Sequence, residues 1–350
     1  MKILKYFLYF ILLLVVLFGV FLVASTLSDY DPEEREIVFE SSFPDTISVD
    51  TYLNVFSWNI GYCGLGAEMD FFFDGGEKVR ATKENTAKNL EAIGKLLVLN
   101  DSVELFLLQE VDISSKRTYH INQSEELANL IKYQHSFFAA NYKSFFVPVP
   151  PSEPMGKVLS GLLSISRFEP FLVERMDFPG SYSWPKKLFM LDRCFMVQRF
   201  ALSNKKSLLI INTHNSAFDG GALKKHEMEY LKNFLLVEYD KGNYILVGGD
   251  WNQNPPGFVD SQFNEKSGYE NFLLATISED FLPEDWSWLY DHGTPTNRSN
   301  TAPYDKETTT TTILDFFLCS PNLVPGYSKT INLNFENSDH QPIMCSIEFH

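Results

Sequence analysis

Strand-like, largely apolar runs at 53–58, 103–108, 161–165, 195–200, 208–211, 244–247, 313–318 and 342–349 punctuate this chain, and several of them are continuously apolar. Short runs without polar alternation belong to strands covered on both faces. Between them, Leu90, Ile93 and Leu97, and again Tyr230, Leu231, Phe234 and Leu235, form one-sided stripes at helical spacing. Helices on some connections and hairpin-like links on others predict an α/β fold, two mixed β-sheets packed face to face with helices outside. Stretches 141–157 and 251–310 are expected to be surface loops near a functional rim, with 177–193 as a third variable loop. The Pro-rich part, 147–154, reads as a rigid loop.

A different constraint acts at the N-terminus. Residues 6–27 carry no charge, and as a helix they reach ~33 Å, enough to cross a bilayer core. Lys2 and Lys5 precede this run, whereas Asp29, Asp31, Glu33 and Glu34 follow it. That asymmetry predicts a single-pass membrane anchor with a cytoplasmic N-terminus and an extracytoplasmic remainder. Val23-Ala24-Ser25 is a passable cleavage site, and cleavage there would give a secreted protein instead. Residues 28–51, acidic and without a clear period, read as a tether, and 52–350 as the catalytic domain.

The whole chain has a net charge of −16. Two of its 29 basic residues and none of its 45 acidic ones precede Asp29, so the exported part is more acidic still. Such a surface disfavours tight unaided binding of duplex DNA, which relies on phosphate neutralisation. Cys63, Cys194, Cys319 and Cys345 form no C-x-x-C pair, so metal-site and redox-motif readings fail.

The apolar runs end on chemically capable side chains. Residues 53–58 lead into Asn59, 103–108 into Gln109 and Glu110, 208–211 into Asn212, Thr213 and His214, and 244–247 into Gly248, Gly249, Asp250, Trp251 and Asn252. Open sheets gather ligands at strand carboxyl ends. Ser338, Asp339 and His340 stand just before the last run, which reaches the same rim if it runs antiparallel. Asp315 lies within an apolar run, where a carboxylate is costly unless paired. His340 is its candidate partner, with Asp315 fixing the tautomer and raising the pKa.

Taken together, Trp58-Asn59-Ile60, Leu108-Gln109-Glu110-Val111-Asp112, the segment 160–166, Asn212-Thr213-His214, Gly249-Asp250-Trp251-Asn252, Ile313-Leu314-Asp315 and Ser338-Asp339-His340 resemble the endonuclease/exonuclease/phosphatase superfamily. That group includes deoxyribonuclease I-like nucleases, neutral sphingomyelinases and inositol polyphosphate 5-phosphatases. The resemblance covers nearly all of 52–350 and implies a four-layer α-β-β-α sandwich. It implies that Glu110 is the principal carboxylate on a Mg²⁺ ion, with Asn59 and Asp339 nearby and Mn²⁺ as the alternative metal. It further implies that Asp250 positions or deprotonates the attacking water, that Asn252 orients it, and that His340, held by Asp315, and His214 contact the scissile phosphate. One departure is Gly61, where some nucleases of the group carry an acid.

Arg193, close after Lys186 and Lys187, is a candidate for binding the substrate phosphate. The segment 61–66 lacks the Lys-Ser/Thr of a P-loop and reads as a flexible connection. Phe71, Phe72 and Phe73, and Trp286 with Trp288, either line a lipid-facing or base-stacking loop or fill core. The expected function is metal-dependent phosphodiester hydrolysis on a lipid head group or nucleic acid. A phosphomonoesterase acting on inositol phosphates and a non-catalytic surface binding protein are the alternatives.

Overall fold

The computed structural model describes residues 2–131, 135–217, 222–258 and 275–350. In chain order these hold α1 (Lys2–Leu27), β1 (Arg35–Glu40), β2 (Thr46–Ile47), β3 (Tyr52–Asn59), α2 (Lys83–Leu99), β4 (Leu105–Asp112), α3 (Gln123–Leu130), β5 (His135–Val147), β6 (Gly156–Ser166), β7 (Leu172–Asp177), β8 (Cys194–Leu202) and β9 (Ser207–His214). Then follow α4 (Ala222–Asp240), β10 (Tyr244–Asp250), β11 (Ser287–Leu289), β12 (Asn297–Arg298), β13 (Thr311–Thr312), β14 (Asp315–Cys319), β15 (Leu323–Thr330) and β16 (Ile343–Phe349).

Strand periodicity sorts the apolar side chains into layers. From one six-stranded sheet, ordered β15-β16-β3-β4-β6-β5, Leu53, Val55, Leu105 and Leu107 point inward. They meet Phe200, Leu208, Ile210, Leu246 and Phe317 of an eight-stranded sheet, ordered β1-β7-β8-β9-β10-β14-β11 with β2 beside β8. The alternate residues Phe56, Trp58, Phe106 and Leu108 face outward onto Leu90, Ile93 and Leu97 of α2 and Leu127 of α3. On the far side Leu209, Ile211, Ile245 and Val247 cover Met228, Leu231 and Leu235 of α4. This is the α-β-β-α sandwich, and it explains the largely apolar runs: both faces of the central strands are covered. Thr82 starts α2 by accepting the Asn85 N–H, the usual remedy for an unpaired helix donor.

Strand direction sets the site. β3 runs parallel to β4, and β9 parallel to β10, so their carboxyl ends share one rim. β16 is antiparallel to β3 and β14 is antiparallel to β10, so both begin at that rim.

Several segments differ from the sequence reading. Much of 141–157 is strand: β5 runs on to Val147, which pairs with Gly156 at the start of β6. β5 is an edge strand, and Asn141, Lys143 and Ser144 hide its apolar period. Part of 28–51, expected to be an irregular tether, is laid into the eight-stranded sheet, with β1 antiparallel to β7 and β2 parallel to β8. Of the expected loop 251–310, residues 259–274 lie outside the described residues. The segment 61–66, expected to be flexible, begins with a 3-10 turn whose Tyr62 and Cys63 are buried. Trp286 and Trp288 pack into the core below α4. All four cysteines are buried and free.

Candidate active site

At the rim lies a cavity of about 240 Å³ whose lining includes Glu110, Arg193, His214, Asp250, Asn252, Asp339 and His340. Two of them are delivered by local devices. Glu110 has φ +54, and the β4–β6 register slips between Leu108 and Val111. This bulge turns the glutamate out of the ladder and into the mouth. Gly249 has φ +147, and a Cβ there would meet the Thr213 oxygen at 2.1 Å, so only glycine lets β10 approach β9 and bring Asp250 level with His214.

His340 and Asp315 come from opposite sheets. His340 Nδ1 lies 2.7 Å from Asp315 Oδ2, and both residues are buried. Burial pushes His340 down, but Asp315 and then Asp250 outweigh it and hold the imidazole well above its usual value. Burial pushes the Asp315 carboxyl up, opposed by His340. In the neutral ring, with Nδ1–H donated to Asp315, Asn297 Nδ2 at 2.9 Å donates to Nε2. In the charged ring that amide must present its oxygen instead. Trp58 Nε1–H donates to the His340 carbonyl at 2.9 Å and fixes the backbone.

Asp250 is the hub. Its Oδ2 accepts from Asn59 Nδ2 at 2.9 Å and lies 3.4 Å from His214 Nε2 and 3.7 Å from His340 Nε2. Its Oδ1 accepts the Asn252 N–H at 2.9 Å. His214 is driven well below its usual pKa by burial, then by Arg193 and His340, so it is a neutral imidazole. Its Nδ1 is buried without a hydrogen-bond partner. Asn252 donates Nδ2–H to the Asn215 carbonyl at 2.9 Å, which leaves its amide oxygen as its free polar group toward the cavity. Arg193 stands at the wall with Nη1 buried and unpaired, a donor suited to an anionic phosphoryl oxygen.

The carboxylate side is different. Burial, then Asp339, pushes Glu110 up, partly offset by Arg117. Asp74, which no motif marked, is pushed up to about 7 by burial and by Asp339 and Glu110, against the Asn300 amide. Asn300 Nδ2 bridges Asp339 Oδ2 at 2.6 Å and Asp74 Oδ2 at 3.0 Å. Asp74, Glu110, Asp250 and Asp339 all line one pocket, and carboxylate oxygens are the hard ligands a divalent cation takes. Asn59 Oδ1 accepts the Gly61 N–H at 3.0 Å, while Nδ2 donates to Asp250 and, at 3.3 Å, to Glu110, so this side chain bridges two carboxylates. At Gly61, φ is +49 and a Cβ would come within 2.8 Å of Asp339 Oδ1, so that carboxylate occupies the space a side chain at 61 would need.

Asp250, Asp315 and His340 also offer ligand atoms within 4.8 Å of one another. The Asp315–His340 contact at 2.7 Å uses the two groups on each other. Sequence reasoning also missed Arg117, held by Asp112 through bonds of 2.9 and 3.1 Å and stacked 3.6 Å from the Tyr62 ring centre. It sets a buried positive charge beside the carboxylates.

The sequence model of the Endonuclease/Exonuclease/phosphatase family matches residues 56–340. The chain belongs to this family. Membership makes it a phosphoesterase, a hydrolase, by class. No curated protein sequence matches it. Among solved structures, an endonuclease/exonuclease/phosphatase from Beutenbergia cavernae is 14% identical, with 85% of this chain and 72% of that one covered at a TM-score of 0.57. D. rerio TDP2 with a single-stranded DNA product is 13% identical, covering 85% and 100% at 0.52. The human Nocturnin catalytic domain with bound sulfate is 17% identical, covering 88% and 98% at 0.51. At such identities these likenesses speak for the family's fold alone.

Proposed function

We propose that the chain is a Mg²⁺-dependent phosphodiester hydrolase, held to a membrane by α1 with its catalytic domain outside the cytoplasm. The supporting observation is the pairing, within one cavity, of crowded carboxylates with proton-bearing groups aimed at the same space. Glu110 and Asp339 would hold the metal, and when bound it neutralises charge developing on the phosphoryl and leaving oxygens. Mn²⁺ suits the same oxygens.

Asp250, beside His214 and Asn59, positions the attacking water and takes its proton, with the Asn252 oxygen helping to orient it. His340, kept protonated by Asp315, turns its Nε2–H from the Asn297 amide to a phosphoryl oxygen when substrate binds. Neutral His214 donates Nε2–H beside it. Arg193 supplies the unpaired donor of its guanidinium to the same group.

One wall of the cavity is apolar, with Tyr62, Leu65, Phe71, Phe73, Phe189 and Met190 among its residues. That wall favours a diester carrying an organic group over a polyanionic inositol phosphate. Purified full-length chain should hydrolyse bis-p-nitrophenyl phosphate only with Mg²⁺ or Mn²⁺, and faster than p-nitrophenyl phosphate. Equal turnover with and without a divalent metal, or none at all, sinks this reading; a preference for the monoester sinks its diester part.

A further inference from the structure

The anchor helix does not merely precede the catalytic domain. Its last turns pack on the wall of the catalytic cavity. The Phe21 ring stacks on Phe189 at 5.9 Å between centroids and meets Phe146 edge-on at 6.2 Å. Thr26 Oγ1 accepts the Trp184 indole N–H at 3.2 Å, and Lys187 Nζ lies 3.1 Å from Asp29 Oδ2. The connection beyond is pinned as well. The Tyr30 ring lies 4.9 Å from Lys143 Nζ, and its hydroxyl donates to Glu36 Oε2 at 3.0 Å.

Helix geometry then fixes a depth. A hydrocarbon core needs ~20 helical residues, and counting from Tyr6 that number is reached at Ser25. Phe21 thus lies ~6 Å inside the outer boundary. Its ring partners Phe146 and Phe189 must sit at the level of the interface. Beside them Phe145 and Trp184 expose 58% and 56% of their surface. Tryptophan at this level, with Tyr182, Lys186 and Lys187 on the same short segment, has the composition of an interfacial belt.

The same segment builds the active site. The Phe189 carbonyl accepts Tyr142 Oη–H at 3.0 Å and the Leu188 carbonyl accepts Ser144 Oγ–H at 3.1 Å, which fix the turn Lys186–Phe189 on β5. Phe189, Met190 and Leu191 then line the cavity that holds Glu110 and His340.

We infer that Phe145, Phe146, Trp184 and Phe189 form a collar that seats the catalytic mouth on the outer face of the bilayer crossed by α1, where it takes the phosphodiester of a lipid in that leaflet. This rests on the reading of the chain as an anchored phosphodiesterase. The collar keeps a lipid's tails in the membrane while its head group reaches the carboxylates.

The test uses full-length chain reconstituted in phosphatidylcholine vesicles containing sphingomyelin, with Mg²⁺. Brominated phosphatidylcholine should quench part of the tryptophan fluorescence, and Trp184→Phe should remove that quenched part. Phe145→Asp combined with Trp184→Ser should lower release of phosphorylated head group at least tenfold while leaving turnover of bis-p-nitrophenyl phosphate unchanged. Quenching identical in wild type and Trp184→Phe, or an equal loss on both substrates, overturns the collar. Soluble diester turnover without any lipid turnover refutes the seating and the lipid substrate alone, whereas failure on bis-p-nitrophenyl phosphate refutes the phosphodiesterase reading beneath it.

Discussion

Two polar layers lie one or two residues apart at the strand ends, one built of neutral amides and the other of charged groups and imidazoles. In the lower layer, between the sheets, Gln109 Nε2–H donates to Asn212 Oδ1 at 2.7 Å and to Ser57 Oγ at 3.2 Å, although its Oε1 is left without a partner. Asn212 in turn donates to the Leu108 and Leu163 carbonyls at 3.2 and 3.3 Å. In the upper layer Glu110 is crowded by Asp339, His214 keeps an unpaired Nδ1, and Arg193 an unpaired Nη1. Amides that bond to each other hold the sheets together; charged groups left wanting partners are available to a substrate and a metal. Polar residues at strand ends thus bond across the sandwich below, and above they carry the roles proposed for the site.

The comparison is broken most sharply in the upper layer. Asp250→Asn should lower kcat by about 10²–10⁴-fold, with near-UV circular dichroism unchanged. A kcat close to wild type would remove Asp250 from the reaction. In the lower layer Asn212→Ala should do the reverse. It leaves buried donors and acceptors unmatched, costing about 1–3 kcal/mol in urea unfolding, with kcat preserved in the folded fraction. Loss of kcat without loss of stability would show that the division between layers is false.

Glu110→Gln should raise the Mg²⁺ concentration for half-maximal activity by about tenfold or more. It should also raise Tm without metal by a few degrees, since about 1 kcal/mol of relieved repulsion moves Tm by ~2–4 °C in domains of 150–250 residues. An unchanged metal requirement would contradict its place in the site.

Asp192 sharpens the point away from the mouth. Burial and Asp29 push its carboxyl up to about 7, against Arg175. A value raised in the folded state favours folding below the unfolded value of ~3.9 and loses that contribution as pH rises through about 7. Asp192→Asn should therefore have a higher Tm than wild type at pH 8, with the gain gone near pH 4. A gain independent of pH would point to packing instead.

Much of this was legible in the sequence for a physical reason. Strands covered on both faces leave largely apolar runs, and a polar residue ending such a run is conspicuous. Asp315 stood out because a carboxylate in an apolar run needs a partner, and the structure sets it against His340. The same signal could not tell Gln109 and Asn212 from Glu110, because the difference lies in what faces them across the sandwich. β5 was hidden by polar residues on an edge strand. Asp74 and Asn300 were invisible because tertiary contacts carry their loops to the rim: the Asn300 carbonyl accepts the Phe71 N–H at 2.7 Å, and Arg298 donates to the Gly66 carbonyl at 2.7 Å. Asn59 was legible as a site residue but not as a donor, since the Gly61 N–H that claims its oxygen depends on a local turn.

Titration calorimetry with Mg²⁺ tests the centre of this account most directly. Wild type and His340→Ala should each bind the ion, and Glu110→Gln should bind it far more weakly. Undiminished binding by Glu110→Gln, with loss in His340→Ala, would move the metal to the Asp250–Asp315–His340 cluster and contradict the roles assigned to both sides of the cavity.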